Sequence, residues 1–370
     1  MNCVFCWFFV FIFEKTALAA HNVGMDFYFS IGIFIFVIAN LSEMKKIVVA
    51  TDSFKGSVSS IEVAEHVEQG IKSIFPACEV VKALIADGGE GTVKALVSSL
   101  KGEYVEVCVH DPLMRPVTAT YGIIEGGTVA VLEMASASGL PLLRPDERNP
   151  LKTTTYGTGE MIADALRRGC RKLLVGIGGS ATNDGGVGML SALGFCFYDK
   201  EGNELKGGGE ILSQIAYMND FCLIEGLKDI EVKVACDVNN HFSGPNGAAY
   251  VYAPQKGADS RMVEELDLGL KHFARVIKSF NGIDVESIPG AGAAGGLGGG
   301  FAAFLEAKLM SGIQMVLEAI RFREMIKDAD LIITGEGKLD AQTVMGKAPC
   351  GILDVAASQG ISVIAIGGFV

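Results

Sequence analysis

Lys172-Leu-Leu-Val175 is an apolar run of strand length, and it empties into Gly176-Ile-Gly-Gly-Ser-Ala-Thr-Asn-Asp-Gly-Gly186 before Val187–Leu193 takes on helical character. Strand, glycine-rich turn and helix form the unit from which parallel sheets are built, because parallel neighbours need a crossover between them. Such a turn leaves backbone N–H groups pointing outward at the start of a helix, where they suit an anion, most often a phosphate. This turn also carries Ser180, Thr182, Asn183 and Asp184. Their side chains can hydrogen-bond a substrate, and Asp184 can hold a metal ion.

The same alternation recurs along the body of the chain. Ile47–Ala50 reads as a strand. Ser59 with Glu62 forms a capping box ahead of a helix reaching about Phe75. Val80–Ala86 is a second strand, and a third begins near Tyr104. Val117–Met134 alternates around Gly126-Gly127 like a hairpin. Thr158–Arg168, Met262–Phe280 and Phe301–Ala319 read as helices, and Val232–Cys236 and Leu331–Thr334 as strands. The expected fold class is therefore α/β, with two α/β domains: one with a mainly parallel sheet, the other mixed and carrying the hairpin. The first is expected at 44–110 plus 286–370, with 111–285 inserted as the second.

Both ends of the sequence are unusual. Residues 1–43 hold two apolar, aromatic runs, Cys3–Phe13 and Phe27–Ala39, each shorter than the roughly 20 residues that span a bilayer. Export, a membrane anchor and sequence upstream of a natural start at Met44 compete as explanations, and the third is preferred. Ser362–Ile366 reads as a strand with no covering helix after it, so a truncated C-terminus is expected.

Composition narrows the function. The chain of 370 residues carries a formal net charge of −12 and 47 glycines gathered in clusters rather than a repeat. With no basic stripe, nucleic acid is not expected as a partner. Cys78, Cys108, Cys170, Cys196, Cys222, Cys236 and Cys350 lack metal-ligand spacing and read as reduced thiols of a cytoplasmic protein. No membrane partner is expected unless residues 1–43 belong to the mature chain. A homodimer is left open.

Polar loops follow the predicted strands repeatedly: Asp52–Ser57, Asp87–Thr92, Gly176–Gly186, Asp237–Asn240 and Gly335–Asp340. Open α/β sheets bind ligands beyond their strand C-termini, so loops of this kind point to a site. Phosphoryl transfer needs amides or cations around phosphates, carboxylates for Mg²⁺ and a group that orients the attacking hydroxyl. Gly178, Gly179, Ser180 and Gly292–Gly296 can supply amides. Asp184, Asp237, Glu336 and Asp340 can supply carboxylates, and Lys55, Lys338 and Lys347 cations. Plainer readings stand beside these. Asp87-Gly88 could form only a turn, Gly290–Gly300 could be a lid or close helix packing, Lys55 could be solvated, and Asp340 could cap a helix. The chain has no G-x-x-x-x-G-K-S/T, and no protein-kinase signature set. Gly176-x-Gly178-x-x-Ala181 does fit a dinucleotide fingerprint, with Asp199 near the ribose position. A nicotinamide-dependent dehydrogenase is therefore an alternative, although Asn183–Gly186 interrupt the expected helix start. An inactive, membrane-tethered binding protein is another.

Taken in order, these stretches resemble the glycerate kinase family of the bacterial two-domain type (type 1) from Met44 to Val370. The matching segments are DSFKGS (Asp52–Ser57), ADGGEGT (Ala86–Thr92), GTGE (Gly157–Glu160), Gly176–Gly186, CDVNN (Cys236–Asn240), PQKGA (Pro254–Ala258), PGAGAAGGLG (Pro289–Gly298) and ITGEGKLDAQTVMGKAP (Ile333–Pro349). The chain departs from the family pattern at Asn239–Phe242, at Tyr252-Ala253, and past Val370, where the family continues. The resemblance implies one Rossmann- or flavodoxin-like domain, a second α/β domain and a site between them. It also implies ATP- and Mg²⁺-dependent phosphorylation of D-glycerate, with 2-phosphoglycerate as the favoured product.

On this resemblance, Lys55, Asp184 and Asp237 are the expected catalytic residues. Asp52, Ser53, Asp87, Gly88 and Asn183 are expected to contact substrate. Gly178, Gly179, Ser180, Thr182, Gly292, Gly295, Gly296 and Lys338 are expected to hold ATP, and Asp184, Glu336 and Asp340 to hold Mg²⁺. Asp184→Asn is then expected to leave folding intact and to reduce turnover by orders of magnitude.

Overall fold

The computed structural model describes residues 10–12, 44–54, 58–338 and 347–367. Strands β1 (Val10–Ile12), β2 (Lys46–Thr51) and β3 (Glu79–Leu84) come first. They are followed by β4 (Glu103–His110), β5 (Pro116–Ile124), β6 (Val129–Glu133), β7 (Lys172–Gly176), β8 (Cys196–Tyr198), β9 (Tyr217–Asn219), β10 (Glu231–Ala235) and β11 (Lys308–Met310). Strands β12 (Leu331–Glu336) and β13 (Ser362–Gly367) come last. The described residues form two compact units, one ending at Asp87 and resuming at Val316, the other running Gly88–Met315.

The first unit holds a parallel sheet in the order β1-β13-β12-β2-β3. Its central strand β12 is buried along its whole length, as a parallel strand covered on both faces must be. The crossover from β2 to β3 is the helix Ser60–Ile74. The Ser59 hydroxyl accepts the Glu62 amide while the Glu62 carboxylate accepts the Ser59 amide, closing the capping box read from the sequence. Val63, Val67 and Ile71 on one face of that helix join Ile47, Val49, Leu331 and Ile333 in the core.

The second unit holds a mixed sheet, β11-β10-β7-β6-β5-β4. From β11 to β6 the strands are parallel; β5 and β4 are antiparallel. The expected hairpin is present as β5 and β6, turning at Glu125–Gly127. β4 pairs with β5 from Glu103↔Ile123 to His110↔Pro116, which draws residues 103–110 into this unit. Leu297 and Phe301 belong to its core as well. The compact units thus divide after Asp87 and before Val316, rather than at 110 and 286.

One predicted element is replaced. Phe301–Ala319 is not a single helix but the helix Leu297–Phe304, then β11, then the helix Gly312–Ala319. Glu306 takes a left-handed backbone (φ 49°), which stops the first helix, and β11 gains a ladder along β10. Among the described residues no helix is long and apolar enough to cross a membrane.

Candidate active site at the parallel strand ends

In the second unit the parallel strands finish level with one another. Glu133 at the end of β6 pairs with Gly176 at the end of β7. Gly176 pairs with Ala235 at the end of β10, which pairs with Met310 at the end of β11. Everything that follows these residues is delivered to one edge of the sheet, where open α/β folds bind ligands.

The turn Gly88–Glu90 lies on that edge. A Cβ at Gly88 would sit 2.5 Å from the Ala235 side chain and 2.7 Å from the Gly312 Cα, and the residue has φ +84°, so glycine is required there. Glu133 fixes the segment that follows. Its carboxylate accepts the Val93 amide at 2.9 Å and bonds the amides of Gly91 and Thr92, at the start of the helix Thr92–Leu100. Burial pushes its pKa up, those amides resist the rise, and the nearby Glu90 charge adds to it. Sequence reasoning passed over Glu133. The available signal was a carboxylate ending the apolar run Val129-Ala-Val-Leu-Glu133 beside other polar strand ends.

Across from this turn, a Cβ on Gly178 would find only the Gly89 Cα, at 3.6 Å. Gly178 and Gly179 are exposed. Neighbours pin the rest of the loop: Leu140 N–H donates to the Gly179 carbonyl (2.9 Å), Ala181 N–H to Ser138 (3.0 Å) and the Thr153 hydroxyl to Ala181 (2.8 Å). None of these bonds uses an amide of Gly178, Gly179 or Ser180. Asn183 is fully buried, and among the described residues neither its Oδ1 nor its Nδ2 has a hydrogen-bond partner; the Thr182 hydroxyl is in the same state. Unpaired buried polar atoms cost free energy and mark positions where a ligand or water completes the set.

Asp184 departs from its expected role. One carboxylate oxygen accepts from the Thr155 amide (2.8 Å), the Thr155 hydroxyl (2.8 Å), the Gly188 amide (3.2 Å) and the Thr154 hydroxyl (3.4 Å); the other accepts the Gly186 amide (3.1 Å). Burial raises its pKa against these bonds. A carboxylate saturated in this way anchors the loop to the helix Val187–Ala192 and to Thr154-Thr155; it does not offer lone pairs to a metal. With these bonds in place, Asp184→Asn is expected to cost folding stability as well as activity. Asp237 differs: it is exposed beyond β10, and its Oδ1 accepts the Gly312 amide at 3.0 Å.

The second glycine-rich loop packs closely, the plainer of the readings its sequence allowed, rather than presenting amides. Gly292 donates its amide to the Asn240 carbonyl (3.0 Å) and Gly296 donates to Gly292 (3.3 Å), while Gly295 accepts the Gly185 amide (3.0 Å). A Cβ on Gly295 would strike the Thr182 carbonyl, and one on Gly296 would lie 2.9 Å from the Gly185 Cα. All three glycines are buried. They let this loop pack backbone to backbone beneath Thr182–Gly186, and the amides of Gly292 and Gly296 are not open to phosphate.

Lys256, in the PQKGA stretch, is 1% exposed. Its Nζ donates to Ser180 Oγ (2.7 Å) and to the Thr182 carbonyl (2.6 Å). Burial lowers its pKa to about 7, with the Asp184 charge pulling the other way. No role was read for it from sequence, since a lysine between Gln255 and Gly257 looks like any surface lysine.

The first unit has its own strand-end cluster. Asp52 follows β2, is 8% exposed, accepts the Ser53 amide (2.6 Å) and donates its own amide to Gly335 (2.9 Å). Glu336, 7% exposed, ends the neighbouring β12. The buried hydroxyls of Thr51 and Thr334 have no hydrogen-bond partner among the described residues. Lys338 is exposed, and Asp87 is half-buried where this unit ends. Lys55 and Asp340 lie outside the described residues. Among the described residues no group of three or more His, Cys, Asp or Glu side chains is placed to hold a metal.

Parallel strands with polar loops gathered at their ends are the frame of an α/β enzyme. The glycerate kinase family model matches residues 47–370, and the chain belongs to that family; it is a kinase. It is 49% identical to "Glycerate kinase" of Bacillus subtilis (strain 168) over 87% of this chain and 85% of that one. It is 47% identical, with the same coverage, to "Glycerate 2-kinase" of Escherichia coli (strain K12). A crystal structure from Salmonella typhimurium LT2, provisionally described as a glycerate kinase 2, superposes with a TM-score of 0.85 at 45% identity. It covers 88% of this chain, which in turn covers 87% of it.

Proposed function

We propose that this chain transfers the γ-phosphoryl group of ATP to D-glycerate, giving 2-phosphoglycerate and ADP. The observation that carries the proposal is the Gly178–Ser180 turn: exposed glycines at a parallel strand end, with amides that no backbone carbonyl among the described residues accepts. Amides so placed hold phosphate oxygens and stabilise the charge that develops on them. The name of the Escherichia coli relative supports the 2-position.

Roles follow from the chemistry and placement of each side chain. Ser180, Thr182 and Asn183 present hydroxyl and amide groups to the ligand. Asp237, exposed and held through one oxygen by Gly312, orients the attacking hydroxyl. Asp52, Ser53, Asp87 and Gly88 belong to loops that we assign to substrate, and Lys55 to neutralising its carboxylate. For Mg²⁺, Glu336 at its strand end offers the hard oxygen donor the ion prefers, with Asp340 as its proposed companion; Asp184 does not fit. Bound there, the ion would offset negative charge on the phosphates.

A coupled assay of ADP release on D-glycerate tests the reaction, and enolase, which consumes 2-phosphoglycerate, tests the product. No glycerate-dependent ADP release would end the proposal, and a product that enolase cannot use would move the phosphate to the other hydroxyl. Asp237→Asn should lower kcat about a hundredfold with little change in melting temperature. Wild-type turnover in that variant would remove it from the site.

A further inference from the structure

We propose that Lys256 is a positioning residue of the kinase site: through Ser180 Oγ and the Thr182 carbonyl it sets the Gly176–Gly186 loop in the form whose amides face an anion. An ammonium carried into the interior is expensive, and an apolar side chain of similar volume would pack there at lower cost. What the lysine does there is specific. It is the cation that spans the loop, gripping it at two points, Ser180 and Thr182, on either side of Ala181. Ala181 is itself held by Thr153 and Ser138, so residues 179–182 are fixed from three directions.

The grip also sets the direction of a proton. While Lys256 is protonated its nitrogen has no lone pair and can only donate, so Ser180 Oγ accepts from the ammonium, and the serine's own O–H is left to point elsewhere. Among the described residues that hydroxyl has no acceptor. The Ser180 hydroxyl and the Gly178–Ser180 amides therefore form one donor set, and Lys256 fixes its orientation without touching the ligand. The unpartnered side-chain atoms of Thr182 and Asn183 lie on the same loop and are fully buried, a second sign that the held conformation is built around something it binds.

The kinetic part of the test rests on the glycerate kinase reading; the exchange part does not. The full chain, Lys256→Gln, Ser180→Ala and the double variant are compared by hydrogen exchange of peptides spanning 176–186 and by kcat/KM for ATP with D-glycerate. The expected result is at least tenfold faster exchange of that loop in Lys256→Gln with the Ile162–Leu173 core unchanged. In the same test kcat/KM falls about thirtyfold in each single variant, and the double variant is no worse than the poorer single one. Unchanged loop exchange, or defects that multiply in the double variant, would overturn the proposal. Should Lys256→Gln not fold, Ser180→Ala decides: kcat/KM within threefold of wild type overturns it, and a thirtyfold loss at unchanged melting temperature supports it. A wild-type chain that ignores glycerate defeats the functional reading alone, and loop exchange then settles the role of Lys256.

Discussion

Gly176–Gly186 and Gly290–Gly300 look alike in sequence and do opposite work. In the first, Gly178 and Gly179 are exposed and a side chain at Gly178 would meet almost nothing. In the second, Gly292, Gly295 and Gly296 are buried, and the space a Cβ would take is filled by the backbone of Thr182, Gly185 and His241. One loop leaves its backbone open; the other leaves out side chains so that protein can pack against it. The second supports the first, since Gly295 accepts the Gly185 amide from beneath. Glycine content therefore says that something comes close to the backbone, and the neighbouring residue types say what. Ser180, Thr182, Asn183 and Asp184 stand among the first set, and alanines and leucine among the second.

The contrast can be broken by substitutions, the largest effect first. Gly295→Ala places a methyl group against the Thr182 carbonyl at φ +75° and should cost about 3 kcal/mol or more of folding free energy, read from denaturant midpoints. A shift under ~1 kcal/mol would mean the two loops are not locked together. Asp184→Asn keeps one acceptor oxygen for the Thr155 and Gly188 amides but sets an NH2 group against the Gly186 amide, and should cost roughly 2–3 kcal/mol. Its activity, measured below the transition, should fall with loop order rather than with any lost metal, so added Mg²⁺ should not restore it. Gly178→Ala reverses the pattern: folding free energy within ~0.5 kcal/mol of wild type, but kcat/KM for ATP down about tenfold as the methyl group obstructs the open amides. Full activity there would strip the first loop of its proposed role.

Much of the fold was legible because its signals are local. The capping box at Ser59 and Glu62, the turn at Gly126-Gly127 and the apolar strands β7 and β12 depend on residues close in sequence. The break at Glu306 was not legible, because Phe301–Ala319 has helical character and only the pairing of β11 with β10 competes with it. At the site, the strand-end loops could be found, but the state of each side chain could not. Asp184 and Asp237 are both aspartates just beyond strands. One accepts from donors of residues 154–155 and 186–188 and is fully buried, the other is exposed and accepts the Gly312 amide, and that difference is tertiary. Lys256 and Glu133 were missed for the same reason, since their partners lie on distant segments of the chain.

The proton that Lys256 carries measures how tightly the first loop is sealed. Burial lowers the folded-state pKa of Lys256 to about 7 from an ordinary 10.5, and the charged neighbour that opposes the shift is Asp184. Between those two values the unfolded chain holds a proton on this lysine that the folded chain has released. Stability must then rise with pH across that window, and the penalty for burying the ammonium is complete only below about pH 7. Lys256→Met has no such proton. Its denaturant midpoint, measured at pH 6.5, 8 and 9, should gain on the wild type at the acidic end and lose that advantage at the alkaline end. A constant difference across the series would mean that water reaches the lysine in solution and that the loop is not sealed around it.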